Sequence, residues 1–213
     1  MADFADWFAT LWDKATDIWL SGGWAMPPIA FIAFVVFGLG LHVFLGLRDK
    51  GFESVPEHRW RHWIDHPAER TGPIGELLDF VTGCDSIEQT AEAFAQLRLT
   101  ETTPFERDLR VMRVCVSAAP LVGLLGTVTG MLSTFGALAS GTGGDKTMAL
   151  VADGISEALV TTETGLVIAL PGLFFQYQLM RKHQRYKAFL AHLETVCTQK
   201  LYRRLQRLRR VAA

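Results

Sequence analysis

Glu157, Thr161 and Thr164 recur at i, i+4 and i+7, so one helical face carries a carboxylate followed by two hydroxyls. Glu163 lies six residues, roughly 9 Å, further along the same helix. Groups of this kind pass protons or hold small cations. Their setting is unusual, because Ile155 to Met180 includes eleven Leu, Ile, Val and Phe residues and is long enough to cross a bilayer. A carboxylate at mid-bilayer costs about 2.5–3.5 kcal/mol, and the eleven side chains return about 0.3–0.6 kcal/mol each, so the gain barely offsets two charges. The polar side of this helix must therefore face protein or water. For Glu157 the plainer account is an interfacial acid near the outer end, paired with a base. For Glu163 the alternatives are an ion path, an intramembrane pair, or a protonated carboxyl bonded to a neighbouring helix.

A second charge-free segment, "SAAPLVGLLGTVTGMLSTFG", adds Thr127, Ser133 and Thr134 among Gly123, Gly126 and Gly130. Small residues let helix backbones approach closely where lipid supplies no hydrophobic push, and packing alone explains most of these positions. Buried hydroxyls also bond a file of water, and Thr127 beside Gly126 is placed for that.

Other patterns carry less. His58, His62 and His66 stand four apart, and a turn rises about 5.4 Å, so two of them at most share an ion; a solvated or interfacial helix explains them better, and no metal is expected. "GTGGDKT", Gly141 to Thr147, lacks the Gly-Lys-Thr order of a phosphate loop and follows no strand. Cys84, Cys115 and Cys197 have no metal-type spacing and read as free thiols. Glu157 and Glu163 as an acid and base pair fail on geometry, since six residues set them about 240° apart around a helix. No catalytic residue and no cofactor is expected.

The elements that hold these groups follow from the charge distribution. No Asp, Glu, Lys or Arg occurs from Trp24 to Leu47 or from Val114 to Ser140. The predicted fold is an all-α membrane protein with three transmembrane helices and long cytoplasmic extensions. Its order is an outer amphipathic interfacial helix over 1–23, transmembrane helix 1 over 24–47, a cytoplasmic helical domain over 48–112, transmembrane helix 2 over 113–139, a short periplasmic connection over 140–153, transmembrane helix 3 over 154–180, and a basic cytoplasmic helical tail over 181–213.

Helix starts are predicted at the capping signatures Ser54-Val-Pro-Glu57, Asp85-Ser-Ile-Glu88 and Thr103-Pro-Phe-Glu106, with a short helix from Pro73 to Thr82 stopped at Gly83. An apolar stripe of Phe189, Leu193, Val196, Leu201, Leu205 and Leu208 runs down the tail. Beyond Met180 the chain holds ten Lys and Arg against the single acid Glu194, which places the C-terminus in the cytoplasm and the N-terminus outside. Asp3 and Asp6 occupy the place of a basic signal-peptide region, so the first span is expected to stay in the mature chain. The formal net charge of −1 suggests no nucleic-acid partner.

"AAPLVGLLGTVTGM" (Ala118 to Met131), followed by "DGISEALVTTETGLVIALPGL" (Asp153 to Leu173), resembles the proton-channel family of MotA, TolQ and ExbB, with the ExbB branch fitting best. The resemblance implies a bacterial inner-membrane homopentamer around the spans of a smaller ExbD-like partner. That single-span partner supplies a protonatable transmembrane Asp, and a TonB-like protein carries the resulting work to the outer membrane. A TolQ-like or stator-like role is the alternative within the family, and a passive membrane scaffold is the rival outside it. In the family picture Thr127 and Thr162 match pore-lining hydroxyls and Glu157 matches the acid of the third span. Glu163 stands where family members usually carry an uncharged residue, and reads as an extra proton station or a sodium ligand.

Overall fold

The computed structural model describes residues 10, 16, 19, 21–83, 86–140 and 144–212, and every regular element among them is helical. The helices are α1 (Met26–Asp49), α2 (Glu57–Asp65), α3 (Gly72–Thr82), α4 (Ile87–Ala139) and α5 (Asp145–Ala212), with short 3₁₀ turns at Gly23–Ala25 and Pro67–Glu69. Of these, α1, α4 and α5 are long and apolar enough to cross a membrane. The amphipathic helix expected over 1–23 falls largely outside the described residues, as do Cys84, Asp85 and the segment 141–143.

The chain divides into two compact units. The first comprises Met1–Gly38 with Val111–Gln176, and the second Leu39–Arg110 with Tyr177–Ala213.

Three helical segments from α1, α4 and α5 build the first unit, and its outer faces are apolar. Phe31, Phe34, Leu121, Leu132, Leu159 and Leu170 are all exposed. A continuous apolar surface of this kind is not left in water, and lipid or other protein must cover it.

The second unit packs α2 and α3 with the polar parts of α4 and α5. Trp60, Ile74, Leu78, Phe94, Leu190 and Leu193 form its core. Arg70 organises the α2–α3 junction: its guanidinium donates to the carbonyls of Trp63 (2.8 Å) and Ile64 (3.2 Å), which end α2, and to Asp79 (2.6 Å) and Thr82 (2.8 Å) on α3. Charged pairs tie α4 to α5, with Arg98 against Glu194 at 3.1 Å and Lys187 against Glu106 at 2.7 Å. The Tyr186 hydroxyl donates to Glu101 at 2.9 Å, and Lys50 pairs with the same carboxylate.

Two predicted starts differ from the structure. Ser54 does not cap a helix; its hydroxyl donates to the Gly51 carbonyl at 2.7 Å and closes a turn, while α2 begins at Glu57 after Pro56. Thr103 and Pro104 start nothing, because α4 runs through them unbroken from Ile87. Proline removes one hydrogen bond from a helix interior, and the burial of Thr102, Phe105 and Leu109 on the same face holds the helix together regardless. The third start lies where expected: α4 begins at Ile87, within the Asp85–Glu88 signature, and the Ser86 hydroxyl accepts the Gln89 N–H at 3.1 Å, while Asp85 lies outside the described residues. Likewise α3 ends at Thr82 with Gly83 at its C-cap, close to the predicted bounds.

The tail's predicted stripe is buried at Leu193 and Val196, half-buried at Phe189, Leu201 and Leu205, and exposed at Leu208. The buried face also takes in Leu179, His183, Tyr186, Leu190 and Cys197.

Candidate functional site

Small residues at i, i+4, i+7 and i+11 mark the contact between α4 and α5 in the first unit. On α4 these are Ala119, Gly123, Gly126 and Gly130; on α5 they are Gly154, Ala158, Thr161 and Gly165. A Cβ at Gly123 would lie 2.9 Å from the Thr161 carbonyl oxygen, and one at Gly130 would lie 2.7 Å from the Gly154 carbonyl oxygen. A methyl at Gly126 would overlap the Thr161 hydroxyl. The partners descend along α5 as α4 ascends, so the two helices are antiparallel with backbones nearly touching.

The hydroxyls sit on and beside this seam. Thr161 is fully buried and donates to the Glu157 and Ala158 carbonyls of its own helix at 3.1 and 3.0 Å. Thr162 crosses the seam instead, donating to the Gly123 carbonyl at 3.0 Å. Thr127 donates to Leu124 at 2.7 Å, and Thr164 to Val160 at 2.8 Å.

Helical geometry assigns the sides. At about 100° per residue, Thr127 on α4 and Thr162 on α5 each lie about 70° round from the seam in the direction of increasing residue number. For antiparallel helices that is the same side of the pair. Thr129 and Glu157 lie on the other side, where α1 packs. Trp24 Nε1 donates to Thr129 Oγ1 at 3.3 Å, and the Glu157 carboxylate rests against Gly23. Gly23 has φ +58°, so both its backbone conformation and the adjacent carboxylate exclude a side chain. Further along, Gly172 of α5 lies between Val116 of α4 and Val36 of α1.

The structure thus brings Thr127 and Thr162 to one side, and separates them from Glu157. Glu163 joins neither. It lies about 170° round from the seam, exposed, and among the described residues no hydrogen bond or ion pair reaches its carboxylate. His58, His62 and His66 do not converge either. The rings of His62 and His66 stack at 4.0 Å, His62 Nδ1 sits 3.4 Å from Glu69, and no metal-holding group of three His, Cys, Asp or Glu occurs among the described residues.

Two features were missed in the sequence. The α5 half of the seam, Gly154, Ala158 and Gly165, repeats the spacing already read on α4 and was open to the same test. His183 was passed over because the stripe was counted on Leu, Val and Phe alone. It is 2% exposed, and its Nε2 has no hydrogen-bond partner among the described residues. Burial pushes the His183 pKa below the ordinary histidine value, against the opposing pull of Glu106.

Comparison with known proteins adds the following. Residues 78–192, more than half of the chain, match a family model described as the MotA/TolQ/ExbB proton channel family. The chain is similar to the Tol-Pal system protein TolQ of Pseudomonas aeruginosa, 31% identical over 54% of this chain and 51% of that protein. It is 41% identical to the biopolymer transport protein exbB1 of Vibrio cholerae over 32% of this chain and 30% of that one. It is 34% identical to the biopolymer transport protein ExbB of Xanthomonas campestris pv. campestris over 49% of this chain and 38% of that one. The chain therefore spans from about a third to about half of the length of these relatives.

Proposed function

Because this chain belongs to the MotA/TolQ/ExbB proton channel family, we propose that it is the ring-forming subunit of an ExbB-type energy transducer in a bacterial inner membrane. Five copies surround the transmembrane helices of an ExbD-like single-span partner that carries the protonatable Asp. The N-terminus lies in the periplasm and the tail of α5 in the cytoplasm.

The observation that carries this proposal is the shared side of Thr127 and Thr162. Both hydroxyls sit on the edge of the α4–α5 pair remote from α1, so that edge turns toward the lumen while α1 turns toward lipid. Their hydroxyl oxygens keep lone pairs free to accept from water after donating to Leu124 and Gly123. Protons descending the gradient load and unload the partner's Asp, and each charge crossing the potential supplies roughly 2.3 kcal/mol per 100 mV. That energy moves one component against the other, and a TonB-like protein transmits the motion to outer-membrane uptake. Glu157 lies on the opposite edge, against Gly23, away from the hydroxyls that line this path. The role requires no bond-making on a substrate and no cofactor.

A second reading is a TolQ-like subunit of a Tol-Pal system, favoured by the TolQ match, which covers 54% of this chain. Co-purification separates the two by whether a TonB-like or a Tol-like protein accompanies the complex.

The test is proton flux into vesicles holding this protein with its single-span partner. Thr127→Val and Thr162→Val are isosteric and remove the hydroxyl, so flux and energised uptake should be lost while the complex still assembles. Flux at the wild-type level in both variants refutes the proposal.

A further inference from the structure

The end of α5 carries Lys200, Arg203, Arg204 and Arg207 at i, i+3, i+4 and i+7, so four cations share one helical face and repel one another. In the second unit this face closes one side of a cavity of about 440 Å³, whose remaining walls come from α2, α3 and α4. The acid in the wall is Asp65, and it is already engaged. Lys200 Nζ lies 2.6 Å from its carboxylate and 3.0 Å from the Arg61 carbonyl. Among the described residues no carboxylate pairs with Arg203, Arg204 or Arg207. Thr82 and Thr90 spend their hydroxyl protons on the Leu78 and Ser86 carbonyls, so the guanidiniums are the free donors. Ile64 and Val81 give the same cavity an apolar wall.

We propose that this cavity binds a soluble phosphorylated compound of nucleotide size, with its phosphates on the arginine forks and its compact apolar part against Ile64 and Val81. Planar guanidiniums match phosphate oxygens two at a time, and three of them without acid partners suit a di- or triphosphate better than a single carboxylate. The volume lies within the range of small-molecule sites. The donors line one wall of a single concavity rather than a long track, which disfavours nucleic acid. An anionic lipid headgroup offers the same phosphate chemistry, but Lys200 stands twenty residues, roughly 30 Å of helix, beyond Met180, where the apolar run of α5 ends. Cys197 also lines the cavity and is 6% exposed, so an occupant screens its thiol.

The experiment uses the full-length protein in detergent micelles, titrated by calorimetry with ADP and separately with inorganic pyrophosphate. Cys197 alkylation is followed by peptide mapping with Cys115 as the internal reference. Vesicles of phosphatidylglycerol and of phosphatidylcholine form the lipid arm. ADP is expected to bind saturably, to slow Cys197 alkylation, and to bind more tightly than pyrophosphate. The triple variant Arg203→Gln, Arg204→Gln, Arg207→Gln, checked for unchanged helix content by circular dichroism, should lose about tenfold or more in ADP affinity. No saturable binding of either soluble probe at millimolar concentration, ADP affinity unchanged in the triple variant, or binding confined to phosphatidylglycerol vesicles would each overturn the proposal.

Discussion

Replacing Gly123 by alanine tests whether the α4–α5 seam is as tight as the distances indicate, and Gly136→Ala supplies the control on the same helix. An added Cβ at Gly123 meets the Thr161 carbonyl oxygen at 2.9 Å and Thr162 Cα at 3.1 Å, both backbone atoms that cannot rotate away. At Gly136 nothing lies within 4 Å. Each substitution gains about 0.8–1.0 kcal/mol of helix propensity, and that gain cancels in the difference between them. What remains is overpacking, about 1–3 kcal/mol, together with about 1 kcal/mol for the Thr162 hydroxyl bond to the Gly123 carbonyl if the helices part. Gly123→Ala should therefore be about 2–4 kcal/mol less stable than Gly136→Ala. For a chain of this length that corresponds to midpoints about 4–16 °C apart. Thermal unfolding of both purified variants in one detergent measures the gap. Equal midpoints, or a higher one for Gly123→Ala, would refute the close approach of the two backbones. Gly126→Ala should be destabilised at least as much as Gly123→Ala, because its added Cβ meets the Thr161 Cβ at 2.6 Å, an atom that no change of rotamer moves.

Further outcomes follow from single residues. Glu163→Gln should alter the pH or sodium dependence of flux through the reconstituted complex, and identical dependences would remove Glu163 from the ion path. Arg70→Lys should cost about 2–4 kcal/mol, because one ammonium cannot reach four acceptors that the planar fork serves together; a variant with wild-type protection of α2 amides in hydrogen exchange would contradict this. Acid should destabilise the protein in two steps. His183 has its pKa lowered by burial, so the folded state binds fewer protons than the unfolded one, and stability falls as pH drops below about 6.5. Glu106, lowered by its hydrogen bond with Lys187, contributes stability above about 4.5 that is lost below it. His183→Phe should flatten the upper step in a plot of midpoint against pH, and an unchanged upper step would exclude His183 as its source.

The first two spans were legible because the absence of charge over twenty or more residues has few other causes in a helical chain, and the third because eleven large apolar side chains offset Glu157 and Glu163. The glycines of α4 were legible for a similar reason, since their spacing matches a helical face. The side on which Thr127 and Thr162 meet was not. Spacing gives angles relative to a seam, but which edge is covered by α1 depends on contacts such as Trp24 with Thr129, more than a hundred residues apart. Local rules failed at Ser54 and Thr103 because each sequence satisfies a capping pattern while a stronger interaction decides the outcome. Ser54 found the nearer Gly51 carbonyl, and Pro104 was overruled by the buried face around it. His183 was invisible to a search for apolar stripes, being a polar residue that the fold buries without a full set of partners.

The meeting of Gly23 with Glu157 also bears on how such proteins can be recombined. A chimaera that imports a first helix from a relative would need a residue without a side chain in register with that acid, in a left-handed turn, or the graft would wedge the two apart. Exchange of whole helices between homologues is thus governed here by one hydrogen atom's worth of room.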